Sequence, residues 1–292
     1  MSLSPETIAV GLAFAAAILF GTGVVITQFG LKYLPPLSGA AVSVPAFTSV
    51  FLLLSPILLR GEPVVWRAVP IFIGVGLVFP ALLTTLTFSS NRLLGPVVTG
   101  ALGNLAPLFS VTLAVMVLHE PLHPLQLAGL VTAISGVFLI TISRTSGKGD
   151  WRSWALLLPI AAAFLRGVVP PIIKVGLAIW PSPIGAGLVG YIVSSLVVLT
   201  SERLRTGRFI ARAPISGHLW FAAVGIVNGV ATLLLYAAVG YGRVSLVTPL
   251  VATYPLVTVV LSAVLLSNVR VTAKLACGTV AAVAGVILVL VG

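Results

Sequence analysis

Arg166 lies about thirteen residues into an apolar stretch that begins near residue 153, and Pro170-Pro171 follow one turn later. A guanidinium there offers five N–H donors in a planar fork that matches a carboxylate. At the centre of a membrane span such a cation costs at least about 2.5–3.5 kcal/mol, so it needs a partner or a wet cavity. Two roles stand open for it. It receives a substrate carboxylate, or it serves structurally, by snorkelling or by capping carbonyls that the prolines free. The prolines are also expected to break the helix, as binding-site helices of transporters are broken. Asn104, Asn228, Tyr236, Tyr254, Thr22 and Thr85 fall at comparable depth in other apolar stretches. The asparagines could donate and accept at the charged ends of an amino acid, and the tyrosines could contact side chains. The alternative for each is a hydrogen bond between helices. Gly225 and Gly229 bracket Asn228 in a GxxxG pair that favours close helix packing. His119 and His123 are four apart and could share a metal, but no third ligand lies nearby, so they read as loop histidines.

These residues need a bilayer around them. Hydrophobic residues make up 59% of the 292 and charged ones 7%, against roughly 25% charged in a soluble domain. A chain so poor in charge cannot cover a soluble surface, and no separate soluble domain is visible. The net charge of +11 is no sign of nucleic acid, because the basic residues sit mainly at span ends, where headgroups and insertion place them. Cys277 is the only cysteine, which excludes an intrachain disulfide. The first helix, from Thr7, lacks the basic flank and cleavage site of a leader and is expected to be retained.

Apolar stretches separated by turn residues predict helices near 7–30, 37–59, 67–90, 95–118, 122–143, 153–180, 184–202, 217–240, 244–267 and 271–291. The five tryptophans fall near the predicted ends, as an interfacial belt requires. The fold class expected is an all-α membrane protein of ten transmembrane helices, arranged as two inverted five-helix repeats around a central cavity.

The repeats are legible in two places. PLFSVTLAVMVLHEPLHPLQLAGLVTAISGVFLI from Pro107 returns as PLVTVVLSAVLLSNVRVTAKLACGTVAAVAGVILVL from Pro255, and Gly129, Ala133 and Gly136 align with Gly278, Ala282 and Gly285. LFGTGVVITQFGL (Leu19–Leu31) aligns without gaps with LRGVVPPIIKVGL (Leu165–Leu177), pairing Gly21 with Gly167, Gly30 with Gly176 and Gln28 with Lys174. The halves are 1–146 and 147–292. Five helices per half is an odd number, so the second half enters from the opposite side and the repeats are inverted. Pro107 and Pro255, with Pro170 and Pro171, are the expected hinges. One set of loops holds Arg60, Arg67 and Arg243, and the other holds eleven Lys and Arg, from Lys32 to Lys274. The positive-inside rule puts the richer set in the cytoplasm and both termini outside.

These segments resemble the drug/metabolite transporter superfamily, specifically the ten-helix EamA-type permeases. LFGTGVVITQFGL, LHEPLHPLQLAGL and the repeated Pro107 and Pro255 segments carry the resemblance, which covers essentially the whole chain. It implies a carrier in a bacterial inner membrane with a cavity between the halves, and it is nearest to the YddG-type amino-acid exporters. Two features depart from the pattern. The family keeps an acid at the helix four–five break and at its counterpart, whereas here Glu120 is matched by Asn268. The family also has cytoplasmic termini, against the charge count.

The functional expectation is a secondary transporter that exports small polar metabolites, above all amino acids, by alternating access. No cofactor is expected. The partners are a small-molecule substrate and the lipid bilayer, with no nucleic acid, and a monomer suffices. The five acids, Glu6, Glu62, Glu120, Asp150 and Glu202, all lie at predicted ends or loops. That argues against cationic drugs and against a proton relay on a buried carboxylate. Glu120 reads as the start of the next helix, and Lys174 as an interfacial snorkelling lysine. The competing functions are an intramembrane enzyme on lipid-linked substrates, for which only His119, Glu120 and His123 cluster, and a carrier of a sugar or nucleotide derivative.

Overall fold

The computed structural model describes residues 4–60, 62–103, 105–145 and 153–265, with positions 277, 278, 280, 281, 284, 285 and 288. The helices are α1 (Pro5–Gly30), α2 (Pro36–Leu58), α3 (Val69–Val78), α4 (Ala81–Gly103), α5 (Ala106–Leu118), α6 (Pro124–Thr145), α7 (Leu157–Ile179), α8 (Pro183–Thr206), α9 (Ile215–Tyr241), α10 (Val244–Val251) and α11 (Tyr254–Leu265), with a 3₁₀ turn at Ser153–Leu156. Four of them begin on proline, which lacks the N–H that a first helical residue would leave unpaired. Seven runs are long and apolar enough to cross a membrane, α3 joining α4 and α10 joining α11 in two of them, and the apolar runs Ala106–Leu118 and Pro124–Gly136 are shorter. Together they trace nine passes among the described residues. The tenth predicted span falls mostly outside them. Leu53, Ile57, Met116, Val260 and Val264 are exposed, an outer surface suited to lipid.

The helix breaks differ from the expected ones. α7 runs unbroken through Pro170 and Pro171. Proline's fixed φ suits a helix, and what it removes is the N–H that would have met the carbonyl four residues earlier, here those of Arg166 and Gly167. Both prolines are buried within α7. The chain breaks instead at Phe79-Pro80, between α3 and α4, and at Gly95 inside α4, with φ 79° and ψ 169°, a region open only to glycine. It breaks again between α4 and α5, just before Pro107, and between α10 and α11, just before Pro255. The last two breaks occupy equivalent places in the two halves.

Glycine pairs aligned in the sequence make equivalent contacts across the halves. A Cβ on Gly21 would lie 2.6 Å from the Tyr254 carbonyl oxygen and 2.7 Å from Val257 Cβ; one on Gly167 would lie 2.4 Å from the Ala106 oxygen and 2.7 Å from Phe109 Cβ. Adding 148 to Ala106 and Phe109 gives Tyr254 and Val257. Gly30 and Gly176 likewise receive the rings of Phe221 and Phe72. Small residues here let backbones touch, the main attraction between helices where lipid removes the hydrophobic drive. The halves thereby interlock: α1 packs on α9 as α7 packs on α3 and α4, α5 packs on α7 as α11 packs on α1, and α2 meets α8. Gly225 seats against the Ser43 backbone and Gly229 against Phe47, so the GxxxG pair does pack on α2. Trp66 and Trp154 are exposed, whereas Trp180, at the end of α7, is buried against Phe72; Trp151 lies outside the described residues.

Candidate substrate cavity

Arg166 sits in the middle of α7, about 14 Å along from Leu157. Its guanidinium lies over the Tyr254 ring, 5.0 Å from the centroid, and 5.9 Å from that of Phe20. A guanidinium carries five N–H donors, so a contact with these rings leaves donors for other acceptors. Tyr254 is fixed from behind, its hydroxyl donating to the Gly100 carbonyl at 3.0 Å. Gly103 makes room for that hydroxyl, which would lie 2.1 Å from a Cβ there.

Two adjoining lobes meet at Arg166, Phe20, Phe79 and Leu83. They hold about 590 and 530 Å³ of empty space, a figure that includes the open solvent at their mouths. The first lobe is the more polar, with Thr27, Ser43, Thr84, Thr87, Asn228 and Thr232 on its wall. The hydroxyls of Ser43 and Thr87 are buried without a partner among the described residues. The second is mainly apolar, formed by residues such as Ala106, Pro107, Val169, Leu235 and Val251, with the hydroxyl residues Ser110, Thr248 and Tyr254 on its wall; the Ser110 hydroxyl too is buried without a partner among the described residues.

Of the residues singled out in the sequence, Arg166, Asn228 and Tyr254 come together on this cavity, and Pro107 and Pro170 line its apolar lobe. Pro171 is buried in α7, and Pro255 sits in the first turn of α11. Thr22 and Thr85 are elsewhere, each hydroxyl bonded to its own helix, at Ile18 and Ala81. Tyr236 is a core residue packed near Phe79. Asn104 lies outside the described residues. Ser43 and Thr87 escaped sequence reading because hydroxyls are common in membrane helices, and only packing shows which ones lack a bond.

The charged groups at the ends are structural. Glu120 does not start α6 as expected, since α6 begins at Pro124. Its carboxylate instead accepts from the backbone N–H groups of Val244 at 3.0 Å and Ser245 at 2.9 Å. It therefore caps α10, in the other half of the chain, where the N-terminal dipole favours an anion. Lys174 does not snorkel freely. Its ammonium donates to the Val239 carbonyl at 3.3 Å and to that of Gly242, and stands 3.9 Å from Glu120. Its sequence partner Gln28 makes the matching bond at the other end, donating to the Asn91 carbonyl at 3.1 Å and to Asn91 Oδ1 at 2.8 Å; 91 plus 148 is 239. Glu202 is fully buried, accepting from Ser38 at 2.7 Å and from Arg205. His119 takes a left-handed conformation at the end of α5, and among the described residues no three potential metal ligands gather.

Helical spans of this length, two interlocked repeats and a cavity between them define a multi-pass membrane transporter. The model of the EamA-like transporter family matches residues 7–142 and 153–291, so the chain belongs to that family. No curated protein matches the sequence significantly. A solved structure, described as the crystal structure of a protein, superposes with a TM-score of 0.75 over 96% of this chain and 95% of that one, at 20% identity. It shares the fold.

Proposed function

We propose that the protein is a secondary carrier that exports a small carboxylate-bearing metabolite of amino-acid size by alternating access, with Arg166 receiving the carboxylate. One observation carries this reading: a guanidinium at mid-depth faces a cavity between the halves, and none of the ion pairs among the described residues includes it. The unpaired Ser43 and Thr87 hydroxyls and the Asn228 amide supply further polar contacts. Amino acids are the class that the resemblance implied, and export its direction.

The test is transport in proteoliposomes loaded with labelled amino acids and other small carboxylates. Arg166→Ala is expected to reduce saturable efflux of carboxylate substrates about 10- to 100-fold, the range of a lost charge-assisted contact. Arg166→Lys recovers part of it, because an ammonium keeps the charge and loses the fork. Unchanged kinetics in Arg166→Ala, with gel filtration showing an intact protein, would remove the residue from the site. Loading the label inside or outside reads the direction.

A further inference from the structure

A zwitterionic amino acid brings an ammonium as well as a carboxylate, and among the described residues the cavity has no anion to receive it. The sequence holds five acids. Glu6 pairs with Arg243 at one end, Glu62 is exposed, Glu120 caps α10 and Glu202 is buried with Ser38 and Arg205. Asp150 lies outside the described residues. None of the four described acids lines either lobe, whereas Arg166 lines both. A substrate ammonium beside the bound carboxylate would stand within a few ångströms of a guanidinium, in surroundings that screen poorly. Its available acceptors would be neutral oxygens, such as Asn228 Oδ1 and hydroxyls. Ser43 and Thr87, by contrast, present unpaired hydroxyls that can donate to an oxygen in the polar lobe.

We infer that the substrate class is a net anionic 2-oxo or 2-hydroxy carboxylate with a short apolar tail, and that amino acids of the same shape are the poorer ligands. The inference rests on the reading above that Arg166 receives a carboxylate. With the carboxylate at the junction of the lobes, the 2-oxygen faces the hydroxyls of the polar lobe. The tail enters the apolar lobe between Pro107, Val169 and Leu235.

Three near-isosteres test this directly: leucine, 2-hydroxy-4-methylpentanoate and 4-methyl-2-oxopentanoate, which differ in the group on carbon 2. Binding to the purified protein and uptake into proteoliposomes are measured for each, with wild type, Arg166→Ala and Asn228→Asp. The two anions are expected to bind at least about 10-fold more tightly than leucine, and their uptake to respond to an imposed membrane potential while that of leucine does not. Asn228→Asp, which adds a carboxylate to the polar lobe, shifts the preference toward leucine. Leucine binding as well as the anions or better, still dependent on Arg166, overturns the inference and leaves the carboxylate carrier standing. Binding of none of the three, with other carboxylates still transported through Arg166, also overturns the inference alone. Transport of every carboxylate independently of Arg166 overturns both.

Discussion

Arg166 is held in a way that a single mutation can separate into parts. The Tyr254 ring lies against the guanidinium, while its hydroxyl donates to the Gly100 carbonyl and also stands beside Arg166 near Gly103. Tyr254→Phe keeps the ring and loses the hydroxyl. It is expected to lower stability by about 1 kcal/mol and to weaken substrate affinity less than removal of the ring does. Tyr254→Leu removes the ring, lets the guanidinium rotate, and is expected to weaken affinity several-fold, since a partly desolvated cation–π contact is worth about 0.5–2 kcal/mol. Thermal unfolding in detergent reads the first effect and ligand binding the second; equal affinity loss in both variants would show that the ring does not position Arg166.

At the scale of elements, the two ends of the bundle are fastened differently at equivalent positions. One end uses a neutral link, Gln28 to Asn91. The other uses Lys174 of α7, which donates to carbonyls at the end of α9, and Glu120, which accepts from the first N–H groups of α10, the two side chains next to each other. Glu120 is 8% exposed and accepts two backbone hydrogen bonds. Glu120→Gln replaces one acceptor oxygen by a donor facing an N–H, and is expected to cost about 1–3 kcal/mol. Lys174→Met is expected to cost less, because the ammonium is partly exposed and 3.9 Å from the carboxylate. A double-mutant cycle on unfolding checks the ranking. Coupling between the two above about 1 kcal/mol would mean that the ion pair, and not the cap, fastens this end.

The whole molecule is two copies of one packing solution turned against each other. Gly21 and Gly167 meet the backbone of the opposing half at the same positions and at nearly the same distance. Gly21→Ala and Gly167→Ala are therefore expected to destabilise by similar amounts, each more than about 1 kcal/mol, because the added methyl meets a carbonyl that cannot swing away. Gly11→Ala, with nothing within 4 Å of its Cβ, is expected to be neutral or mildly stabilising, alanine being the better helix former. Unfolding temperatures of the three variants decide this, and a tolerated Gly167→Ala beside a damaging Gly21→Ala would show that the halves are not packed equivalently.

Class, spans and repeats were readable from the residues alone. Hydropathy is a local property, and a bilayer imposes it on every span regardless of its neighbours. The pairing of Gly21 with Gly167 and Gln28 with Lys174 was also readable, because two copies of one contact preserve the same small or polar residue. What the residues could not say was which polar groups share a space. Arg166, Asn228 and Tyr254 converge while Thr22, Thr85 and Tyr236 do not, although all had the same apparent depth. Depth is fixed by position along a helix, but facing is fixed by which helix packs alongside. Glu120 looked like the start of its own next helix, yet caps one 124 residues later. Pro170-Pro171 looked like a break, yet the helix runs through them. For Glu120 the deciding partner comes from a helix of the other half, and only the folded chain brings it within reach.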